Sequence, residues 1–445
     1  MPDMWGGLPR GTSPGGVRLP PFASMKICFL CEYFYPDSLG GAGTVVSELA
    51  HALQDNFSDT QVSAICSDNF LRGTPERTLP RRENWDGIAI RRVRTPPTKR
   101  NSGLQRLIFG TWFSAVVAWK LLIGPRYDVL VATTNPPMIA GTARIVSRLR
   151  GMSYVFLVHD LYAEMSVVLG QSSQDSLPIR VAQKMQKWFL GGASHVVALG
   201  RCMKDHLDNT FELVPEKVRV IPNWGTVQDM LLQGESHLRH QHGATDKFVV
   251  LYAGNFGQFH NFNTILDAAR DLSERQDIVF WMVGEGARRS DVEARIKSEK
   301  LNNVRVFDFV PVEQLADLLG AANVSLVTLE RGMEGLAVPS KFYNILASGR
   351  ASIALMGKNA ETARTIEEND CGLRVDSDDS AGLRHAIEIL ANDPIRCQQM
   401  GISARKAFER FYTLRSVAQR FHELFQEIRT TSKSRSALTQ ESFRR

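Results

Sequence analysis

The sequence predicts an α/β protein made of two Rossmann-like halves, each built on a largely parallel sheet. Three observations carry that expectation. Short β-rich runs alternate with amphipathic helical stretches along most of the chain. The alternation lapses once, in a polar stretch near the middle, and then resumes. The first strand of each half is followed by a glycine-rich turn. A length of 445 residues suits two large domains, since one core rarely serves more than ~150 to 250 residues.

The first half runs through KICFLC, a helix over residues 44–53, then QVSAIC, IAIRRV, YDVLVA, YVFLV and HVVAL. The second runs through FVVLYAG, IVFWMVG, VRVF, VSLVTL, ASIAL and GLRV, with helical stretches such as 263–272 and 291–299 between them. The expected organisation is a disordered leader at 1–24, a first domain at 25–225, a linker at 226–246, a second domain at 247–405, a helix at 406–430 and a disordered tail rich in Ser, Thr and Arg at 431–445.

A hydrophobic fraction of 43% with 22% charged residues excludes a disordered or fibrous chain. The net charge of +6 suits nucleic acid, anionic lipid or phosphorylated substrates, and the excess is too small to select any of these alone. Six cysteines without regular spacing fit a reducing, cytoplasmic setting. Cys28 and Cys31 have CxxC spacing, but they sit in an apolar run that reads as a buried strand rather than a redox or zinc site. The leader lacks the apolar stretch of a signal peptide. The longest apolar segment, Leu107 to Trp119, falls short of the ~20 residues that span a bilayer, so no transmembrane helix is expected. With Arg106 and Lys120 beside its aromatics, the stretch from Leu104 to Gly124 reads either as an interfacial helix on an anionic membrane or as a helix packed on the first sheet.

Open parallel sheets bind ligands at the C-terminal ends of their strands, where helix N-termini offer NH groups to anions. LGGAG, residues 39–43, occupies such a place, and its Gly40 and Gly41 let backbone approach a phosphate or sugar closely. A plain tight turn is the alternative, because GxGxxG is not satisfied. YAGNFG, with Gly254 and Asn255, is its counterpart in the second half, and VGEG, with Glu285, follows the next strand. HDLYAE puts His159, Asp160 and Glu164 at a strand end, as cleft groups or as a cap and a buried histidine. Ser340 and Lys341 open a helix after the loop ERGMEGLAVP, as an anion site or as a plain cap with a surface lysine.

From Met25 to Tyr412 the chain resembles the retaining glycosyltransferases called family 4, in particular bacterial enzymes of exopolysaccharide, O-antigen and colanic-acid type. The resemblance rests on LGGAG, TTNPP, VHDLYAEMSVVLG, VRVIPNW, YAGNFG, MVGEG and VPSKFYNILASGR, in family order. It implies the GT-B fold, two Rossmann-like domains facing each other across a cleft, with acceptor on the first and nucleotide-sugar donor on the second. It implies a glycan or lipid-linked acceptor, no cofactor and no obligatory metal. By position, Gly40 and Gly41 would lie by the donor phosphates and sugar, and His159 or Asp160 by the reacting sugar. Gly254 and Asn255 would line the diphosphate, Glu285 and Phe309 would lie near the nucleotide, and Ser340 and Lys341 would hold phosphate. Two glutamates usual in relatives are replaced by Leu336 and Asn344. Asn344 keeps the capacity to bond a ribose hydroxyl, and Glu334 partly substitutes for the first glutamate.

Three other readings compete: a sugar-nucleotide epimerase, a non-catalytic glycan-binding relative, and a nicotinamide enzyme, which the missing GxGxxG disfavours. Asp376-Ser377-Asp378 spells the DxD of a metal-dependent transferase, but its place before a helix near Ser380 reads as a capped polar turn.

Overall fold

The computed structural model describes residues 24–36, 42–69, 79–95, 103–226 and 237–442. The expected leader as far as residue 23, together with Gly40 and Gly41, lies outside the described residues.

The first domain contains β1 (Met25–Leu30), α1 (Ala42–Asn56), β2 (Thr60–Ser67), β3 (Arg82–Trp85), β4 (Ile88–Val93), α2 (Gly103–Ile123) and β5 (Val129–Thr133). It continues through α3 (Ile139–Arg150), β6 (Ser153–Val158), α4 (Tyr162–Val168), α5 (Leu177–Gly192), β7 (His195–Ala198), α6 (Arg201–Phe211) and β8 (Val218–Val220). Its eight strands lie in the order β3-β4-β2-β1-β5-β6-β7-β8, parallel except for β3. That strand escaped the sequence reading. It is polar, and it pairs with β4 through the two-residue turn Asp86-Gly87, both at positive φ, the signature of a tight hairpin. In the middle of the sheet, helices cover both faces and every residue of β5 is buried, which explains continuous apolar runs without alternation. Both Cys28 and Cys31 are buried as expected of a core strand, and burial pushes the Cys28 thiol up to about 12.

The second domain contains α7 (His237–Gln241), β9 (Phe248–Ala253), α8 (Phe262–Asp271), β10 (Ile278–Val283), α9 (Arg289–Glu299), β11 (Val304–Phe307) and α10 (Val312–Ala321). After these come β12 (Val324–Thr328), α11 (Lys341–Ala347), β13 (Ala351–Leu355), α12 (Glu361–Asn369), β14 (Gly372–Val375), α13 (Ser380–Asn392) and α14 (Pro394–Ala407). Its sheet is fully parallel, in the order β11-β10-β9-β12-β13-β14. One boundary needs correction: α7 lies inside the stretch expected as linker, and Arg239 ties it to the Ala321 carbonyl at 2.7 Å.

The C-terminal helix also differs from expectation. A single α15 spans Leu414–Ser442, running through most of the stretch expected as a disordered tail. It returns from the second domain to the first, where His422 meets Asp59 at 2.9 Å and Arg219 meets Glu427 at 2.7 Å. Those contacts anchor the earlier turns of α15 on the first domain.

Helix α2 covers 21 residues, matching the helix expected over 104–124; by length and composition alone it could cross a membrane, where the apolar run 107–119 was expected to fall short. One side, through Phe109, Phe113, Val117 and Leu121, is buried in the first domain.

Candidate functional site

Two glycine turns at the C-terminal ends of β9 and β10 are locked backbone to backbone. The Phe256 amide donates to the Glu285 carbonyl at 2.7 Å, and the Arg288 amide donates to the Phe256 carbonyl at 2.9 Å. A Cβ on Gly284 (φ +141°) would stand 2.0 Å from the Gly254 carbonyl oxygen, so no larger residue fits there. Gly254 itself, at φ +146°, leaves room for another group: its absent Cβ would lie 2.7 Å from Lys341 Nζ.

That ammonium is the central feature of the second domain. The Lys341 stem is partly exposed, yet Nζ is buried and has no hydrogen-bond partner. It lies 3.8 Å from the centre of the Tyr252 ring, where the π face attracts a cation but does not replace its solvation. Burial holds the group down to about 7. A buried cation with unused donors is poised for an anion, whose charge would restore what desolvation removes. The Tyr252 hydroxyl, bonded to the Asn255 carbonyl at 2.7 Å, fixes the ring beneath it. Tyr252 was not singled out from the sequence; an aromatic directly before a glycine turn was the available signal.

His260, beside Lys341 and Tyr252, is a structural group. It is buried, its Nδ1 donates to the Thr328 carbonyl at 2.8 Å, and burial together with Lys341 pushes it down to about 3. It stays neutral and adds no charge.

Across the cleft, the turn after β6 carries His159, Asp160 and Glu164. His159 is buried with both ring nitrogens unpartnered, and burial lowers it to about 4. Asp160 accepts from the Tyr162 hydroxyl at 3.2 Å, while burial raises it to about 6. Both oxygens of Glu164 are buried without partners, and burial raises its pKa as well. A neutral imidazole beside buried carboxyl groups suits hydrogen bonding to sugar hydroxyls.

The domains meet around these groups. The Leu161 amide donates to the Leu336 carbonyl at 3.0 Å, and Gln171 donates to Gln258 at 2.5 Å. The His159 turn therefore abuts the loop that leads into Lys341. Arg201, at the start of α6, clamps Glu361 of α12 through its backbone amide at 2.5 Å and its guanidinium at 3.0 Å.

The remaining expected residues separate into two groups. Asn255, Glu285 and Phe309 are exposed at strand ends on the cleft side of the sheet. Ser340 precedes α11 with helical backbone and makes no capping bond, and a helix of seven residues has little dipole to offer. The charge on Lys341 is what this loop contributes. Asn344 does something the sequence did not suggest: its Oδ1 accepts from the Thr226 amide at 2.7 Å and holds the chain as it leaves the first domain. Leu336 is buried, and Glu334 accepts from the Gly357 amide at 3.1 Å.

Glu334 also lines a cavity of about 740 Å³ with Arg331, Lys358, Arg374 and Asp376 to Asp379. The cavity lies at the ends of β12, β13 and β14, and Lys341 is not in its wall. Two of its acids have partners: Asp376 pairs with Arg374 at 2.6 Å, and Asp378 accepts from the Asn261 amide at 2.8 Å. Asp379 caps α13 through the Gly382 amide at 2.8 Å. The DxD-like triplet stands directly before that cap. At the strand ends of the cleft, by contrast, Lys341 Nζ, both His159 nitrogens and both Glu164 oxygens are buried without hydrogen-bond partners, which makes the cleft, not this cavity, the better candidate for chemistry.

Residues 40–224 match the model of a glycosyl transferase 4-like domain, and residues 235–407 match that of glycosyl transferases group 1. The chain belongs to the family 4 glycosyltransferases. Among curated proteins this transferase is 28% identical over 269 residues to WbjE of Pseudomonas aeruginosa, named as a glycosyltransferase; the match covers 59% of this chain and 66% of WbjE. It is 25% identical to WcaI of Escherichia coli K12, named as a colanic acid biosynthesis glycosyl transferase, over 60% of this chain and 68% of that one. The matches thus span about two thirds of the length of these relatives. Among solved structures, Anabaena HepE in complex with UDP and glucose superposes with a TM-score of 0.66 at 16% identity, covering 91% of this chain and all of that one. The two parallel-sheet domains are those of the GT-B fold.

Proposed function

We propose that this transferase moves a sugar from a UDP- or GDP-sugar, with retention of anomeric configuration and without an obligatory metal, to a glycan or lipid-linked oligosaccharide. The setting is cell-surface polysaccharide biosynthesis at the inner face of the cytoplasmic membrane. The observation that carries the reading is the buried Lys341 ammonium, unpaired at the foot of the Gly254 turn. Departure of the nucleotide places negative charge on its diphosphate, and a fixed cation in a desolvated site stabilises that charge without reorganisation. On the opposite wall, His159 and Asp160 would orient the reacting sugar. Gly40 and Gly41 fall outside the described residues, and their role by the donor remains part of the proposal. UDP and glucose in the HepE complex are consistent with such a donor here.

The test incubates purified protein with UDP- and GDP-sugars and a lipid-linked acceptor, with and without chelator, and follows the product by NMR. Transfer that retains the anomeric configuration and persists in chelator is expected. An epimerised nucleotide-sugar as sole product, or activity lost on chelation and restored by a divalent metal, would overturn the reading.

A further inference from the structure

The first domain presents an apolar and basic face that no part of the sugar-nucleotide cleft uses. Helix α2 is two-sided. Phe109, Phe113, Val117 and Leu121 pack inward. Ile108, Trp112, Trp119 and Leu122 form a stripe about 180° away by helical geometry, with Trp119 62% and Ile108 55% exposed. The stripe does not stop at α2. Ile145 and Leu149 of α3 and Leu177, Val181 and Trp188 of α5 are exposed too. A groove of about 390 Å³ runs between the three helices, its wall including Thr111, Ile145, Met185 and Trp188 with Lys184. Contiguous apolar exposure on this scale marks a surface that meets something other than water.

Charge says what that is. The three helices hold eight arginines and lysines and not one Asp or Glu. The rest of the chain has 45 basic against 47 acidic side chains, so the whole net charge of +6 resides on these helices. Some of these cations have protein partners, as Lys187 does in Glu212 at 2.7 Å, but that acid belongs to another element and is itself exposed. A face combining exposed tryptophans, aliphatic side chains and a one-signed basic field is complementary to the headgroup region of an anionic bilayer.

We propose that the α2–α3–α5 face docks flat on an anionic phospholipid bilayer. The tryptophans and aliphatic stripe enter the interface, the arginines and lysines meet headgroup phosphates, and the groove receives part of a lipid chain. Docking of this kind uses α2 as a surface helix: its inward stripe is already committed to the domain, and only the outward stripe faces lipid. The proposal deepens the reading of a lipid-borne acceptor, but its test requires no turnover.

The full-length chain is floated with vesicles of phosphatidylcholine alone and of phosphatidylcholine with phosphatidylglycerol. Two double variants are compared with wild type, W119E/L122E for the apolar stripe and R148E/K184E for the charge, all at exposed positions. Wild type should float with anionic vesicles, weakly with neutral ones, and less as salt rises. Each double variant should lose at least about tenfold in vesicle affinity, with unchanged thermal unfolding and unchanged nucleotide-sugar binding. Equal partition of wild type onto both vesicle types, or variants that float like wild type, would overturn the proposal. So would light scattering showing that wild type is a dimer dissociated by W119E/L122E while vesicles go unbound; that result would assign the face to a second copy of the chain. If vesicles are bound but nucleotide-sugars are not, the docking face stands and the donor assignment fails.

Discussion

Lys341 Nζ sits 3.8 Å from the centre of the Tyr252 ring, below a glycine whose missing Cβ makes the approach possible. The pairing couples two strand ends: β9 supplies the ring and the Gly254 turn, and the loop after β12 supplies the cation. In the proposed reaction this ammonium is where the leaving diphosphate is stabilised.

Removing the cation should be costly in turnover. Lys341→Ala is expected to cut kcat by ~100-fold or more, the scale of losing one preorganised charge-stabilising donor. Lys341→Arg should recover only part of this, because a larger planar guanidinium cannot take the ammonium's place between the Tyr252 ring and Gly254. Steady-state kinetics with a saturating acceptor checks both, and near wild-type kcat in Lys341→Ala would remove the residue from the site.

The same group sets a pH dependence. In the empty protein Lys341 is lowered from 10.5 to about 7 by burial, so carrying the charge costs stability increasingly as pH falls from the unfolded value towards about 7. A bound diphosphate raises the pKa again, so binding takes up a proton above about pH 7. Affinity for a nucleotide-sugar, whose diphosphate does not titrate near neutrality, should be greatest below about pH 7 and fall by up to tenfold per pH unit above it. Calorimetry in buffers of different ionisation enthalpy measures the proton uptake directly. A flat affinity profile with no buffer dependence would show that Lys341 does not touch the anion.

Gly254→Ala should displace the lysine. Its backbone lies at φ +146° and its new Cβ would meet Nζ at 2.7 Å, so strain of about 1–3 kcal/mol is expected, with at least tenfold weaker nucleotide-sugar binding. Gly320→Ala is the control: a Cβ there meets nothing within 4 Å, and alanine inside α10 should stabilise by up to about 1 kcal/mol. Thermal melts with and without nucleotide-sugar separate the two effects.

Asn344 offers a test of two roles. Because its Oδ1 holds the Thr226 amide, Asn344→Ala should cost about 1–2 kcal/mol of stability. A role in domain connection alone predicts an unchanged KM for the donor. A rise in KM without loss of stability would instead support the ribose contact implied by family position.

Much of this arrangement was legible in the sequence because it is local. Gly254, Gly284 and Gly286 mark strand ends where only glycine fits, and the buried strands β5, β6, β9 and β12 announce themselves as apolar runs. What the sequence hid is long-range. Nothing local to Asn344 says that its amide reaches Thr226, 118 residues away. Nor does the polar segment after Ile428 reveal that α15 continues to Ser442 once its earlier turns pack against the first domain. The hairpin strand β3 was missed for a different reason: RENW has no apolar periodicity, and only Asp86-Gly87 betrays it. Lys341 was named from its motif, but its burial against Tyr252, which gives it chemistry, depends on two loops folding together.

The most direct test of the central claim is a crystal structure of this transferase with a bound UDP- or GDP-sugar. A diphosphate oxygen should lie within about 3 Å of Lys341 Nζ, at charge-assisted hydrogen-bond distance, beside the Gly254 turn and facing His159. A diphosphate seated instead among Arg331, Lys358 and Arg374 in the neighbouring cavity, with Nζ untouched, would contradict it.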